Sequence, residues 1–265
     1  MSETRSDKES KSIFKEWLEK LQQESWQLEL LISGFAIFGI YSGRSLITDF
    51  YFFKENEVIG EIGVFVGLVG FIFKTGWLIF FINLLVHVIL RGLWIGAIGL
   101  RYVSQEIDYD SLGYSERFTS FLKETVGTYD DFIERLEKIC SVLFAYTFLL
   151  FLLFTSLMIF ILQTILIVMI GAKISPNNEI LITLIGLFGT VYFTLGGLVF
   201  IDLITLGGFK KIREKHISTL YYYLYRYYSV VTLSFLYRPL LYNFIDNAYT
   251  RKLFYLSIPY IFLMI

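Results

Sequence analysis

Two stretches of this chain, Ile139–Ala172 and Ile180–Ile201, contain no Asp, Glu, Lys or Arg. Each is longer than the ~20 apolar residues that carry an α-helix across a bilayer. In lipid such a helix satisfies its own backbone groups and its side chains need no polar partner, so the spanning solution is all-α. The chain therefore reads as a polytopic membrane helix bundle whose first partner is the lipid bilayer. The polar groups inside its apolar runs become the residues that need explaining.

Composition supports this class: 55% of residues are hydrophobic and 19% aromatic, with a mean hydropathy of +0.61, well above a soluble domain. A net charge of −1 and the lack of a basic patch interleaved with aromatics argue against nucleic acid as a partner. Cys140 is the single cysteine, so no intrachain disulfide forms, and it reads as a small apolar residue at the start of a span. The two histidines, His87 and His216, stand apart from any Cys, Asp or Glu cluster, so no metal and no cofactor is expected. Neither a nucleophile with its base nor a glycine-rich phosphate loop is recognisable, so the chain is not expected to be an enzyme. Asp108, Asp110 and Gly113 match part of a calcium loop, but Leu112 and Thr119 occupy two of its acid positions, which leaves a solvated loop.

Residues 1–27 carry Arg5, Lys8, Lys11, Lys15 and Lys20 among six acids and have no cleavable signal core. Phe14, Trp17, Leu18 and Leu21 recur at helical spacing, which predicts an interfacial amphipathic helix. The first span is expected from about Leu28 to Tyr41, shortened by Glu29 at its start and Arg44 at its end. Residues 59–100 would make a helix ~63 Å long against a hydrocarbon core of ~30 Å. They form either one over-long helix or a hairpin turning at Lys74-Thr75-Gly76.

Lysine and arginine counts decide, because cytoplasmic loops are enriched in both. A single crossing puts the five cations of the N-terminal tail, the five of 101–138 and the eight of 210–252 on one side, eighteen against three. A hairpin does no better than fifteen against seven. One crossing with a cytoplasmic N-terminus follows, and 28–100 holds the first two spans. The acidic cytoplasmic segment 101–138 is expected to form two short helices, one from Ser115-Glu116 to Gly127 and one opened by a Thr128/Asp131 capping box and continuing into the third span. Residues 139–209 supply the third and fourth spans. The basic, tyrosine-rich segment 210–252 is expected along the inner interface. The final apolar run, 253–265, is a candidate fifth span that stops short, as if the parent protein continued beyond it.

Two constellations stand out. Gly60, Gly63, Gly67 and Gly70 share one helical face and form a helix-packing stripe, suited to intramolecular packing or to contact with a second copy or a membrane-protein partner. Asn83, His87 and Arg91 fall on one face of the second span, where ionisable groups are costly and normally face a partner or water. Arg91 lies ten residues inside Arg101 and Asp202 eight inside Lys210, so their similar depths predict an Arg91–Asp202 contact, with Gln163 of the third span as a neighbour of this polar line.

The stretches Ser25-Trp-Gln-Leu-Glu-Leu-Leu-Ile-Ser-Gly34 and Arg91-Gly-Leu-Trp-Ile-Gly-Ala-Ile-Gly-Leu-Arg101 resemble those of uncharacterised bacterial inner-membrane proteins. The resemblance covers roughly the first half of the chain and implies an inner-membrane location but no activity. The expected role is a non-enzymatic membrane subunit or scaffold, with an ion or small-solute transporter or channel using the polar line as the alternative.

Overall fold

The computed structural model describes residues 5–45, 61–103, 107–174, 178–247 and 250–252, with the side chains of 5–19, 21–23, 61–66, 68 and 172 left undescribed. Among the described residues every regular element is helical: α1 (Arg5–Ser42), α2 (Glu61–Val103), α3 (Glu116–Val126), α4 (Tyr129–Ile174), α5 (Glu179–Ile204), a short 3-10 turn (Phe209–Lys211), α6 (Lys215–Val231) and α7 (Ser234–Asp246). Three of these, α2, α4 and α5, contain stretches long and apolar enough to cross a membrane. The first expected span is part of α1, which falls outside that set because polar residues dilute its apolar stretch. The candidate fifth span, 253–265, lies outside the described residues.

Burial is inverted relative to a soluble protein. Arg91, His87 and Asp202 are fully buried, while Phe35, Phe38, Ile180 and Leu187 are 62–75% exposed. Large apolar faces turned outward around buried charges suit a solvent of hydrocarbon, in which the exposed side chains lose nothing.

The chain divides into two compact units, the first running to Thr147 and the second starting at Phe148. In the first, α1 and α2 pack antiparallel in a regular register. Trp26 meets Trp94 with ring centroids 5.8 Å apart, Arg91 reaches Glu29, His87 reaches Ser33, and Trp77 Nε1 donates to the Ile40 carbonyl at 2.9 Å. Each step up α1 is a step down α2. Helix α1 crosses the expected boundary at residue 27 without a break, and α2 runs straight through Lys74–Gly76, so no hairpin interrupts it.

The polar segment between α2 and α4 folds from local signals. Ser115 precedes α3, and Gly127 ends it at φ 71, ψ −150, a backbone region open essentially to glycine alone. Thr128 N–H and Oγ1–H donate to Asp131 Oδ2 at 3.2 and 2.6 Å, and Asp131 N–H donates back to Thr128 Oγ1 at 3.1 Å, a reciprocal box that starts α4. The first turns of α4 pack on α2 through Trp94, Ala97 and Leu136, reinforced by the Tyr129 hydroxyl donating to the Ala97 carbonyl and by an Arg101–Asp130 pair at 2.6 Å.

In the second unit the latter half of α4 runs antiparallel to α5 at very short range. A Cβ placed on Gly189 would sit 2.5 Å from Val168 Cγ2, one on Gly171 would meet Ile185 at 2.5 Å, and one on Gly196 would overlap the Phe160 ring. Glycine at these positions lets the helices close. After α5 the chain reverses through Leu206 and Gly207, both in the left-handed region at φ 53 and 82. Helix α6 then returns along α5 until the Tyr228 hydroxyl donates to the Tyr192 carbonyl at 2.7 Å. Leu233, at φ 52, turns the chain again into α7.

Candidate functional site

The polar line of α2 acquires its partners from α1 and α4. Glu29 and Ser33 lie one turn apart on α1, His87 and Arg91 one turn apart on α2, and the antiparallel register sets the first pair opposite the second. Arg91 Nη2 donates to Glu29 Oε2 at 2.7 Å, and its Nη1 lies 3.4 Å from Glu137 Oε2 of α4. Ser33 Oγ and His87 Nδ1 share a hydrogen bond at 3.0 Å, and His87 Nε2 lies 3.7 Å from the same Glu29 oxygen. Both α2 side chains are completely buried, whereas Glu29 keeps 12% and Glu137 32% of its side-chain surface.

Apolar contacts seal the cluster. The Arg91 guanidinium stacks 4.6 Å over Trp94, and the Phe144 ring lies 5.0 Å from that of His87. Cys140, one turn beyond Glu137, is fully buried, consistent with a small apolar role. Two carboxylates therefore share one guanidinium, with one imidazole beside them. Asn83, one turn further along α2, is also buried, and its Nδ2 makes no hydrogen bond; His87 Nε2 makes none either.

The partners shown for Arg91 and for Asp202 each lie within that residue's own unit. Arg91 pairs with Glu29 and Glu137, although its Nε and Nη1 make no hydrogen bond, and Asp202 meets its own C-terminal neighbours: Oδ1 accepts from the Phe209 N–H at 2.8 Å and Oδ2 lies 3.0 Å from Lys210 Nζ. Asp202 ties down the reversal after α5, where its carbonyl also accepts from Gly207 N–H at 2.7 Å. Gln163 Oε1 accepts from the Tyr192 hydroxyl of α5 at 3.4 Å. Asn83, His87 and Arg91 share a buried face, as their spacing requires. Of the glycine stripe, Gly63, Gly67 and Gly70 belong to α2, Gly70 is buried, and Gly60 lies outside the described residues.

Glu29 is the residue that sequence reasoning missed. It reads as a defect that shortens the first span, yet it lies nine residues inside Lys20 while Arg91 lies ten inside Arg101. Matched depth between consecutive helices was the available signal, since sequential elements are usually neighbours. Gly189 and Gly196 were missed because seven-residue spacing is common in apolar runs.

The partial calcium loop is used internally. Asp108 Oδ1 accepts from the Asp110 and Ser111 N–H groups, and both Asp110 oxygens accept from Lys123 Nζ at 2.8–2.9 Å. Among the described residues no group of three His, Cys, Asp or Glu is placed to hold a metal. No family model, curated protein or solved structure matches this chain, so its reading rests on its own geometry.

Proposed function

We propose that the chain is a non-enzymatic membrane subunit or scaffold of a bacterial inner membrane, multi-pass with a cytoplasmic N-terminus. It acts through helix packing and its cytoplasmic face, with a second copy or another membrane protein as partner. The observation that carries this reading is the Glu29–Arg91–Glu137 clamp. Its guanidinium is fully buried, stacked on Trp94 and paired on both sides. A transport pathway requires polar groups that water can reach, whereas here the cation is consumed in tying α1, α2 and α4 together.

The same packing supports a multi-pass arrangement. Helix α1 lines the spanning stretch of α2 from Trp26 to Ile40, and its outer face exposes Leu28, Leu31, Ile32, Phe35 and Phe38. This supports α1 as a fourth span, despite Glu29. Helix α6 follows α5 back to Tyr192, twelve residues or ~18 Å from its end at Ile204. Within a core of ~30 Å, α6 and α7 form a hairpin that enters the bilayer from one side and returns to it. The outward tyrosines 222, 223 and 227 of α6 remain available as lipid or partner contacts, while 221, 225 and 228 turn inward.

A transporter or channel is the second reading, favoured by the unpartnered Asn83 Nδ2 and His87 Nε2. Leaving such groups dry costs ~1–3 kcal/mol each, and water would relieve it. Asn83→Cys in a Cys140→Ala background separates the two. Protection from a membrane-impermeant thiol reagent in sealed vesicles is expected for the scaffold; rapid labelling would replace it with a hydrated pathway. Mild-detergent purification with mass spectrometry then tests for a stoichiometric partner or a homo-oligomer.

A further inference from the structure

Beyond the α1–α2–α4 clamp, the second unit contains a cavity of about 170 Å³ where the chain reverses after α5, lined by residues of α5, the 3-10 turn, α6 and α7. Its walls divide by chemistry. Leu203, Leu206, Leu241 and Ile245 supply apolar surface, and Lys210, Lys211 and Arg238 bring three cations to the same space as one carboxylate, Asp202.

That carboxylate is already committed. Its Oδ1 accepts from a backbone N–H and its Oδ2 pairs with Lys210 Nζ, which also lies 3.3 Å from the Tyr242 hydroxyl and 4.3 Å over the Tyr225 ring. Lys211 and Arg238 have no carboxylate partner among the described residues. Arg238 is held by hydroxyls alone: Nη2 donates to Ser229 Oγ at 2.6 Å and to Ser234 Oγ at 2.9 Å. Its guanidinium carbon lies 5.3 Å from the Tyr225 ring, so Tyr225 is flanked by two cations. Buried Nε makes no hydrogen bond. With Nη2 committed to two hydroxyls, Arg238 keeps a spare Nε–H and a charge that no carboxylate among the described residues meets, a combination suited to a phosphate oxygen. Burial works against the charge on Lys210, but the Asp202 carboxylate, with Tyr225 and Tyr242, outweighs it and holds the ammonium above the usual lysine range.

We propose that this cavity binds a phosphate group, with Lys211 and Arg238 as its main cations and Lys210 beside them. The volume limits the ligand. It is well under the ~300 Å³ at which drug-sized sites begin, so it takes a headgroup-sized anion and leaves any acyl chains along the apolar wall. Basic pockets between helices at the membrane surface suit the headgroups of anionic lipids. Free phosphate shares the recognition chemistry, and the experiment separates the two. The proposal rests on the membrane reading but not on the scaffold role.

The test uses the full chain in detergent micelles, titrated separately with phosphatidylglycerol, phosphatidylcholine and inorganic phosphate, and read by native mass spectrometry and thermal melting. Retention of phosphatidylglycerol over phosphatidylcholine is expected, weakened about fivefold by Lys211→Gln and again by Arg238→Gln. Lys211 is exposed and its side chain has no hydrogen bond or ion pair among the described residues, so its variant reports binding even if the Arg238 variant fails to fold. Stabilisation by inorganic phosphate with the same dependence on Lys211, and without preference between the lipids, would assign the site to a soluble phosphate. Equal phosphatidylglycerol retention by wild type and Lys211→Gln, or no binding of either anion, would overturn the proposal.

Discussion

Replacing Arg91 by methionine should destabilise the protein more than replacing its partner Glu29 by glutamine, because the guanidinium serves two carboxylates. At 2.7 Å from Glu29 and 3.4 Å from Glu137, the direct attractions are about 6 and 5 kcal/mol at an effective dielectric of 20. Desolvation of the fully buried cation offsets much of this. Removing it leaves two acids side by side with no cation between them, and breaking a buried pair in this way costs about 3–5 kcal/mol. In Glu29→Gln, Arg91 keeps Glu137 and a neutral acceptor beside Nη2, so the cost should be about 1–3 kcal/mol. The double variant removes the mismatch and should cost less than the two singles combined by about 1.5 kcal/mol or more. Denaturant unfolding of the detergent-solubilised protein, followed by the fluorescence of Trp26 and Trp94 at the same contact, reads all four corners of the cycle. Additivity within about 0.5 kcal/mol, or a Glu29 variant as damaging as the Arg91 one, would refute the clamp.

The close approach of α4 and α6 to α5 predicts that Gly196→Ala will cost about 1–3 kcal/mol by overpacking, since its Cβ would overlap Phe160 and come 2.8 Å from the Tyr228 ring. Tyr228→Phe, which loses only the hydrogen bond to the Tyr192 carbonyl, should cost about 1 kcal/mol. Thermal melting that ranked the two in the opposite order would count against the glycine contact. Gly127→Ala forces a side chain into φ 71, ψ −150 and should cost about 1–3 kcal/mol, seen as faster amide exchange in α3. Unchanged exchange there would mean that the turn relaxes freely. Asn83→Cys should resist an impermeant thiol reagent, as the scaffold reading requires.

The second span shows how far the sequence reaches. Asn83, His87 and Arg91 had to share a face because helical spacing is local geometry, and that face had to be buried because lipid does not solvate a guanidinium. The same locality made the turn at Gly127 and the Thr128/Asp131 box readable: every atom in them lies within four residues. Arg91's partner was not readable this way. The antiparallel register of α1 against α2 brings Glu29 to Arg91, and α4 supplies Glu137. The local partner of Asp202 was unreadable for a related reason. That partner, Lys210, is eight residues away along the chain, a distance that closes only because the backbone reverses at Leu206 and Gly207.

By itself, then, the sequence determined the solvent, the helical class and which polar groups must be buried, since all three depend on transfer free energies and on periodicities within one or two turns. Tertiary structure decided the pairings: Glu29 with Arg91, Asp202 with Lys210, Gly196 beneath Phe160 and Tyr228. A buried charge specifies only that an opposite charge must come within a few ångströms. Which residue supplies it depends on helix adjacency and register, and these are set by the shapes of whole packed faces rather than by any single position.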